Sequence, residues 1–270
     1  METSASSRLN LPKSRRESEL HPQCFGREYG GCPEGSIPVQ RMSTDPNNPR
    51  QKKQRRKQQS PRIHTKHSNT TDPADPNAEL PHQYAVVNGA PTSPGAYTGG
   101  GAIFSVNGPV IADPSSEFSL SQLWIAAGDS SNLNTAEVGW QVFPSAHPSD
   151  YPLAPHLFIY WTSDAYNGVG CYNLDCSGFV QINNTWVLGG AFPLYTTLAE
   201  NSNIEYEVAI YRNVFYFDSA GNSFDAVFSD VVITNANCYT LIIDEEAPST
   251  DWASFFFFGG PGGLNPACVS

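Results

Sequence analysis

From residue 82 onward, hydrophobic and polar positions alternate in short runs and never recur at a sustained helical spacing. The runs are QYAVV, GAIFSV, SLSQLWIAAG, TAEVGWQVF, HLFIYWTS, GFVQINNTWVLGG, YEVAIYRNVFYF, AVFSDVVIT, CYTLIID and SFFFFGG. They are rich in Val, Ile, Phe, Tyr, Trp and Thr, and Gly, Pro, Asn and Asp punctuate them, which is the composition of pleated strands and tight turns. Closely spaced short strands of this kind predict an all-β domain, an antiparallel sandwich or barrel. Upstream the pattern disappears. Residues 1–69 carry almost no apolar periodicity and cannot bury enough surface to offset chain entropy, so they read as a disordered basic tail. The turn-rich TTDPADPNAELP covers a linker at 70–81, and the folded domain is expected over 82–270.

Alternation also assigns faces. In 135–143, Ala136, Val138, Trp140 and Val142 share one parity; Thr135, Glu137, Gly139, Gln141 and Phe143 share the other. The mixed composition of the second set predicts the solvent face of a half-buried strand, with Gly139 leaving room for something to approach. In NIEYEVAIYRNV, Glu205 and Glu207 share parity with Ala209 and Tyr211, so two carboxylates project from one face. Like charges that close raise each other's pKa and can hold a proton in mildly acidic solution, although exposed strand edges also carry such charges against aggregation. Arg212 has the opposite parity and would not neutralise them directly.

Charge divides the chain at the same place. Of the 15 Lys and Arg, 14 lie in residues 1–67 with six acids, a net of +8; residues 68–270 hold 20 acids and Arg212 alone, a net of −19. An acidic domain of this kind suits extracellular, acidic surroundings and is not expected to bind nucleic acid or an anionic membrane. The basic block Lys52–Lys57 leaves nucleic-acid binding or nuclear localisation open for the tail alone. No run of 18 apolar residues suggests a membrane span, and the first residues show no apolar signal-peptide core.

Cys24 and Cys32 fall in the tail, while Cys171, Cys176, Cys238 and Cys268 fall in the domain. Zinc competes with disulfides for Cys171 and Cys176, but no CxxC spacing or nearby His pair supports a metal, so disulfides are the better reading and no cofactor is expected. Ser119, Ser177, His82, His147 and His156 lack GxSxG context or His–Asp spacing, which argues against nucleophilic serine chemistry. GGG at 99–101 and GGPGG at 259–263 lack the Lys and following helix of a phosphate loop. Asn69 and Asn183 are glycosylation acceptors if the chain is secreted.

Taken in order, EFSLSQLWI (117–125), NTAEVGWQVFP (134–144), HLFIYWTSDAY (156–166), GCYNLDCSGFVQINN (170–184), LGGAF (188–192), AIYRNV (209–214) and FFFFGGPGG (255–263) resemble the neprosin family. That family comprises mostly plant, secreted glutamic peptidases that cleave after proline. The resemblance runs from about Gln83 to Cys268. It implies a β-sandwich, disulfides Cys171–Cys176 and Cys238–Cys268, and a pair of glutamates that divide acid and base roles on peptide substrate. Glu137 of EVGW occupies the first glutamate's motif. The glycine-rich segment around the second is absent here, and only 16 residues (193–208) separate LGGAF from AIYRNV, so the domain is internally shortened. Glu205, with Glu207 as alternative, is the nearest carboxylate. Gly139, Gln141 and Tyr211 are expected to face substrate.

These expectations amount to a secreted, monomeric endopeptidase-like domain acting on proline-containing peptides at acidic pH. The alternative is a non-enzymatic extracellular sandwich or binding module. A two-carboxylate glycosidase fits the composition but not the motifs.

Overall fold

The computed structural model describes residues 36–39, 83–90, 97–128, 131–147, 151–183, 186–192, 207–243 and 253–260; at Ala90, residues 207–210 and Gly260 the backbone alone is described. The described part contains strands and no helix. In chain order the strands are β1 (Ala85–Ala90), β2 (Tyr97–Phe104), β3 (Ser119–Ala127), β4 (Asn134–Val142), β5 (His156–Thr162) and β6 (Gly170–Tyr172). They continue with β7 (Glu207–Asp218), β8 (Ser223–Asp225), β9 (Val227–Ile233), β10 (Thr240–Ile243) and β11 (Phe256–Gly260).

Three antiparallel sheets result. One is a meander in the order β3-β4-β5-β6, a second runs β10-β11-β7-β2 with β8 paired to β7, and β1 pairs with β9. The meander is regular where it carries the EVGW motif. Nine pairs link β3 to β4 from Ser119↔Val142 to Ala127↔Asn134, and Thr135↔Thr162 through Gln141↔His156 link β4 to β5, all without a shift. The second sheet is kinked. Its β2–β7 register shifts between Gly101 and Ile103, opposite Asn213, whose φ of 51° is left-handed. An asparagine tolerates that region because its side chain can bond locally, and the extra residue bends the strand as a bulge does.

The two larger sheets stack through β3, β4, β2 and β7. Ser121 Oγ lies 2.7 Å from the Tyr211 hydroxyl, which donates to the Gln122 carbonyl at 3.1 Å. The Trp140 indole donates to Ser105 O at 2.8 Å, and the Tyr97 hydroxyl donates to Ala126 O. Behind these contacts Tyr211, Val214, Ala226 and Phe256 form the buried core of the second sheet, joined by Phe104 and Phe258. Tyr211 stacks on Phe104 at 4.9 Å and on Phe256 at 4.7 Å.

One strand expectation needs correction. GFVQINNTWVLGG, read as a strand, forms none over its described residues, and β6 instead occupies the GCY of the cysteine motif. The reason is local chemistry. The Cys171–Cys176 disulfide closes the turn directly after β6. Downstream, the Asn183 carboxamide oxygen takes the Trp186 N–H at 2.9 Å, and the Gln181 carboxamide donates to the carbonyls of Asn183 (3.1 Å) and Trp186 (2.8 Å). Side chains that satisfy the backbone in this way compete with a ladder for the same groups.

Candidate active site around Glu137

The expected solvent face of β4 is buried. Glu137 is 5% exposed and Gln141 2%, and Thr135 is buried beside them; on the apolar parity Trp140 and Val142 are buried as well, whereas Val138 is 39% exposed. The register explains what surrounds the carboxylate: Trp124 of β3 and Tyr160 of β5 lie directly opposite Glu137 on either side. In a regular sheet these three share a face. Ser121, one residue out of phase with Gln122 and Trp124, points the other way, toward Tyr211 and β7. Glu137 therefore sits on the side of the meander away from β7, roofed by loop residues.

The roof is the loop after β5. Tyr166 donates its hydroxyl to Glu137 Oε1 at 2.6 Å, and Thr135 Oγ1 donates to the same oxygen at 2.8 Å. Both bonds fall on Oε1, which leaves Oε2 as the oxygen that can exchange a proton. Tyr166 also stacks on Tyr160 with ring centroids 5.9 Å apart and planes 7° from parallel. Holding it there requires two successive left-handed residues, Ala165 (φ 54°) and Tyr166 (φ 63°). Non-glycine residues in this region carry strain that the surrounding structure must over-determine. It does so through Asp164, whose Oδ1 accepts from Thr162 Oγ1 (3.0 Å) and Asn167 N (3.1 Å) while Oδ2 accepts from Val169 N (2.8 Å). The Ala165 N–H reaches Leu133 O at 2.9 Å and the Tyr166 N–H reaches Thr162 Oγ1 at 3.1 Å.

Burial pushes the Glu137 carboxyl above the ordinary glutamate value; the Tyr166 and Thr135 hydroxyls, then Trp124 and Gln122, pull it back without cancelling the rise. Trp124 acts by proximity and not through a closed hydrogen bond, because its Nε1 is buried without a partner. The carboxylate acts on its neighbours in turn. Burial first, then the charge of Glu137, raises the Tyr84 and Tyr160 hydroxyls, and Asp164 adds to the rise at Tyr160. A buried carboxyl inclined to keep its proton, beside an indole N–H with no acceptor, can give a proton to a bound group and stabilise a developing negative oxygen.

The other predicted site residues divide. Gln141 lies on the Glu137 face and donates to the Tyr172 hydroxyl. Gly139 also lies there, but a Cβ at that position would stand 2.0 Å from Ser121 O and 2.7 Å from Gln122 Cα. Its bare backbone thus admits β3 itself at close range. Tyr211 is in the inter-sheet core, on the other side of β3. Glu205 lies outside the described residues, and of Glu207 the backbone alone is described, paired with Gly260. Asp164 is the carboxylate brought closest in effect to this cluster, and its oxygens are committed to the loop. Cys171 and Cys176 form a disulfide. Cys238 is fully buried and disulfide-bonded, and Cys268 lies outside the described residues. Among the described residues no group of His, Cys, Asp and Glu could hold a metal.

Tyr166, Tyr160, Trp124, Tyr84 and Thr135 were not singled out from the sequence. The registers that set Trp124 and Tyr160 beside Glu137 follow once the β3–β4 and β4–β5 turns are known. Nothing in the pattern aims Tyr166 at it, because a loop residue's direction depends on backbone angles that periodicity does not encode.

The order of motifs and the geometry now meet an independent match: the Neprosin family model aligns with residues 115–216, which span β3 through the carboxyl-terminal part of β7. The stretch includes Glu137 and the Cys171–Cys176 disulfide. Residues 115–216 thus match the Neprosin family model, a partial stretch of the chain, consistent with a shortened member of that family.

Proposed function

We propose that this domain is a glutamic endopeptidase-type hydrolase acting on peptide bonds after proline, with Glu137 as one of its two proton-transferring carboxylates. One observation carries the reading: Glu137 is buried, its proton affinity is raised by that burial, and its Oε1 is held by Tyr166 and Thr135 next to the unfilled indole donor of Trp124. In the proposed cycle Glu137 gives its proton toward the scissile amide while a second carboxylate activates water, Glu205 or Glu207 being the candidates. No covalent intermediate is required. Gln141 and Gly139 support the strand that presents Glu137. The family match and the disulfide favour a secreted, extracellular setting, with proline-containing peptides as partners.

A second reading has its own observation. Among the described residues no other carboxyl contributes to the proton affinity of Glu137, and β7 meets β3 on the side away from it. A chain with one such carboxylate would be a non-enzymatic sandwich module. Incubating the full chain with a proline-containing peptide at pH 3–6, with Glu137→Gln in parallel, separates the two. The peptidase reading expects cleavage after proline and a loss of about 10²-fold or more in Glu137→Gln. An inert parent chain would establish the module reading, and cleavage indifferent to Glu137→Gln would remove Glu137 from the site.

A further inference from the structure

The run Phe179-Val180-Gln181-Ile182 is apolar at three of its four positions, yet it lies outside every described strand. Val180 and Ile182 are 77% and 88% exposed, and Phe179 is exposed beside them. Gln181 is the one buried member. Its Nε2 donates to Asn183 O (3.1 Å), Trp186 O (2.8 Å) and Pro38 O (3.0 Å). The last bond brings Ile37 and Val39, both exposed, to the same part of the surface. Exposed apolar side chains gathered in one place mark a surface that something covers.

The residues that follow the run identify the cover. Asn183-Asn184-Thr185 is an acceptor triplet for an N-linked glycan, with no Pro at its middle position. Asn183 is exposed. Its Oδ1 accepts the Trp186 N–H at 2.9 Å and its backbone carbonyl accepts from Gln181, so it sits in a loop fixed by side-chain bonds and not in a ladder. A substituent on Nδ2 leaves both of those oxygens in use, and a surface loop accommodates its bulk. The second triplet, at Asn69, lies outside the described residues. The Cys171–Cys176 disulfide just upstream belongs to the oxidising compartment in which such glycans are attached.

We propose that Asn183 carries an N-linked glycan whose first sugar rings lie over Val180 and Ile182 and turn an exposed apolar run into a solvated surface. The donor is an oligosaccharide linked to a lipid diphosphate. Asn183 Nδ2 forms a bond to the anomeric carbon of the first sugar, and the bond from that carbon to the diphosphate oxygen breaks. The lipid diphosphate leaves with the electron pair, and the transferase takes one proton from Nδ2. Nothing is oxidised or reduced. The proposal rests on the secreted setting and not on the peptidase chemistry.

It is tested by expressing the full chain behind a cleavable secretion leader in a eukaryotic host. Every chain carries Asn69→Gln, so that position 183 holds the one remaining acceptor triplet. The leader supplies the secretory route, so a bare Asn183 reports on the site and not on where the native chain is sent. The secreted protein should lose the mass of one glycan on treatment with peptide-N-glycosidase, and hydrolysis in heavy-oxygen water should place the label on residue 183. Asn183→Gln should remove the mass shift. Thr185→Ala should remove it while keeping the Asn183 side chain, and serves if Asn183→Gln does not fold. Deglycosylation of the folded protein should raise its binding of anilinonaphthalene sulfonate, and Val180→Ser with Ile182→Ser should cancel that rise. A secreted chain with Asn183 unmodified, or dye binding that deglycosylation leaves unchanged, would overturn the proposal.

Discussion

Tyr166→Phe isolates the interaction that ties the loop after β5 to the carboxylate. The substitution deletes one hydroxyl, which donates to Glu137 Oε1 at 2.6 Å, and keeps the ring that stacks on Tyr160. A hydrogen bond to a charged group contributes about 1.5–3 kcal/mol, one between neutral groups about 0.5–1.5. Losing the difference should lift the already raised Glu137 pKa further. The sign follows from linkage. The folded pKa lies above the unfolded value of about 4.3, so the protonated carboxyl's contribution to stability is full below that pH and is lost as pH rises through the folded pKa. The variant extends that loss to higher pH. Its destabilisation should therefore be about 0.5–1.5 kcal/mol at pH 3, where both states hold the proton, and should grow toward about 1.5–3 kcal/mol as pH rises through the folded pKa. Urea unfolding followed by tryptophan fluorescence across a pH series measures the difference, and carboxyl-carbon NMR titration reads the pKa directly. A destabilisation that stays constant while the NMR signal of Glu137 titrates, or a Glu137 pKa that falls, would refute the assignment of Tyr166 as a donor that stabilises the charged form.

Gly139→Ala places a methyl group 2.0 Å from Ser121 O, against backbone that cannot rotate away, so it should destabilise by about 1–3 kcal/mol or more, seen as a lowered Tm. Were Gly139 instead beside open space, the variant would unfold like the parent. Ala165→Gly relieves one left-handed residue at φ 54° and should stabilise by up to about 1 kcal/mol in denaturant unfolding, since about 1–2 kcal/mol of strain is offset in part by the freer unfolded chain. Replacing Cys171 and Cys176 together by serine opens a short loop whose closure contributes about 2 kcal/mol in the chain-entropy model, so the midpoint of unfolding should drop while the far-ultraviolet strand signal persists.

Strand identity was legible because pleated backbone imposes a period of two on side chains whatever they later touch. That regularity gave the all-β class, most of the strands, and the shared parity of Glu137 with Thr135 and Gln141. It missed β6 at Gly170–Tyr172 and suggested a strand over residues 178–190 instead, where side-chain bonds from Gln181 and Asn183 replace a ladder. The burial of the polar face also escaped it. Alternation separates two faces without saying which one is covered, and here the cover comes from a loop held by Asp164 and two left-handed residues. The sequence by itself determined that Glu137 stands on a strand beside Gly139 and Trp140, because that follows from chain order and local geometry. Only the tertiary structure decided that it is buried, that Tyr166 and Trp124 meet it, and that Gly139 admits a neighbouring strand. Those facts depend on contacts between residues distant in the chain, and no local pattern carries them.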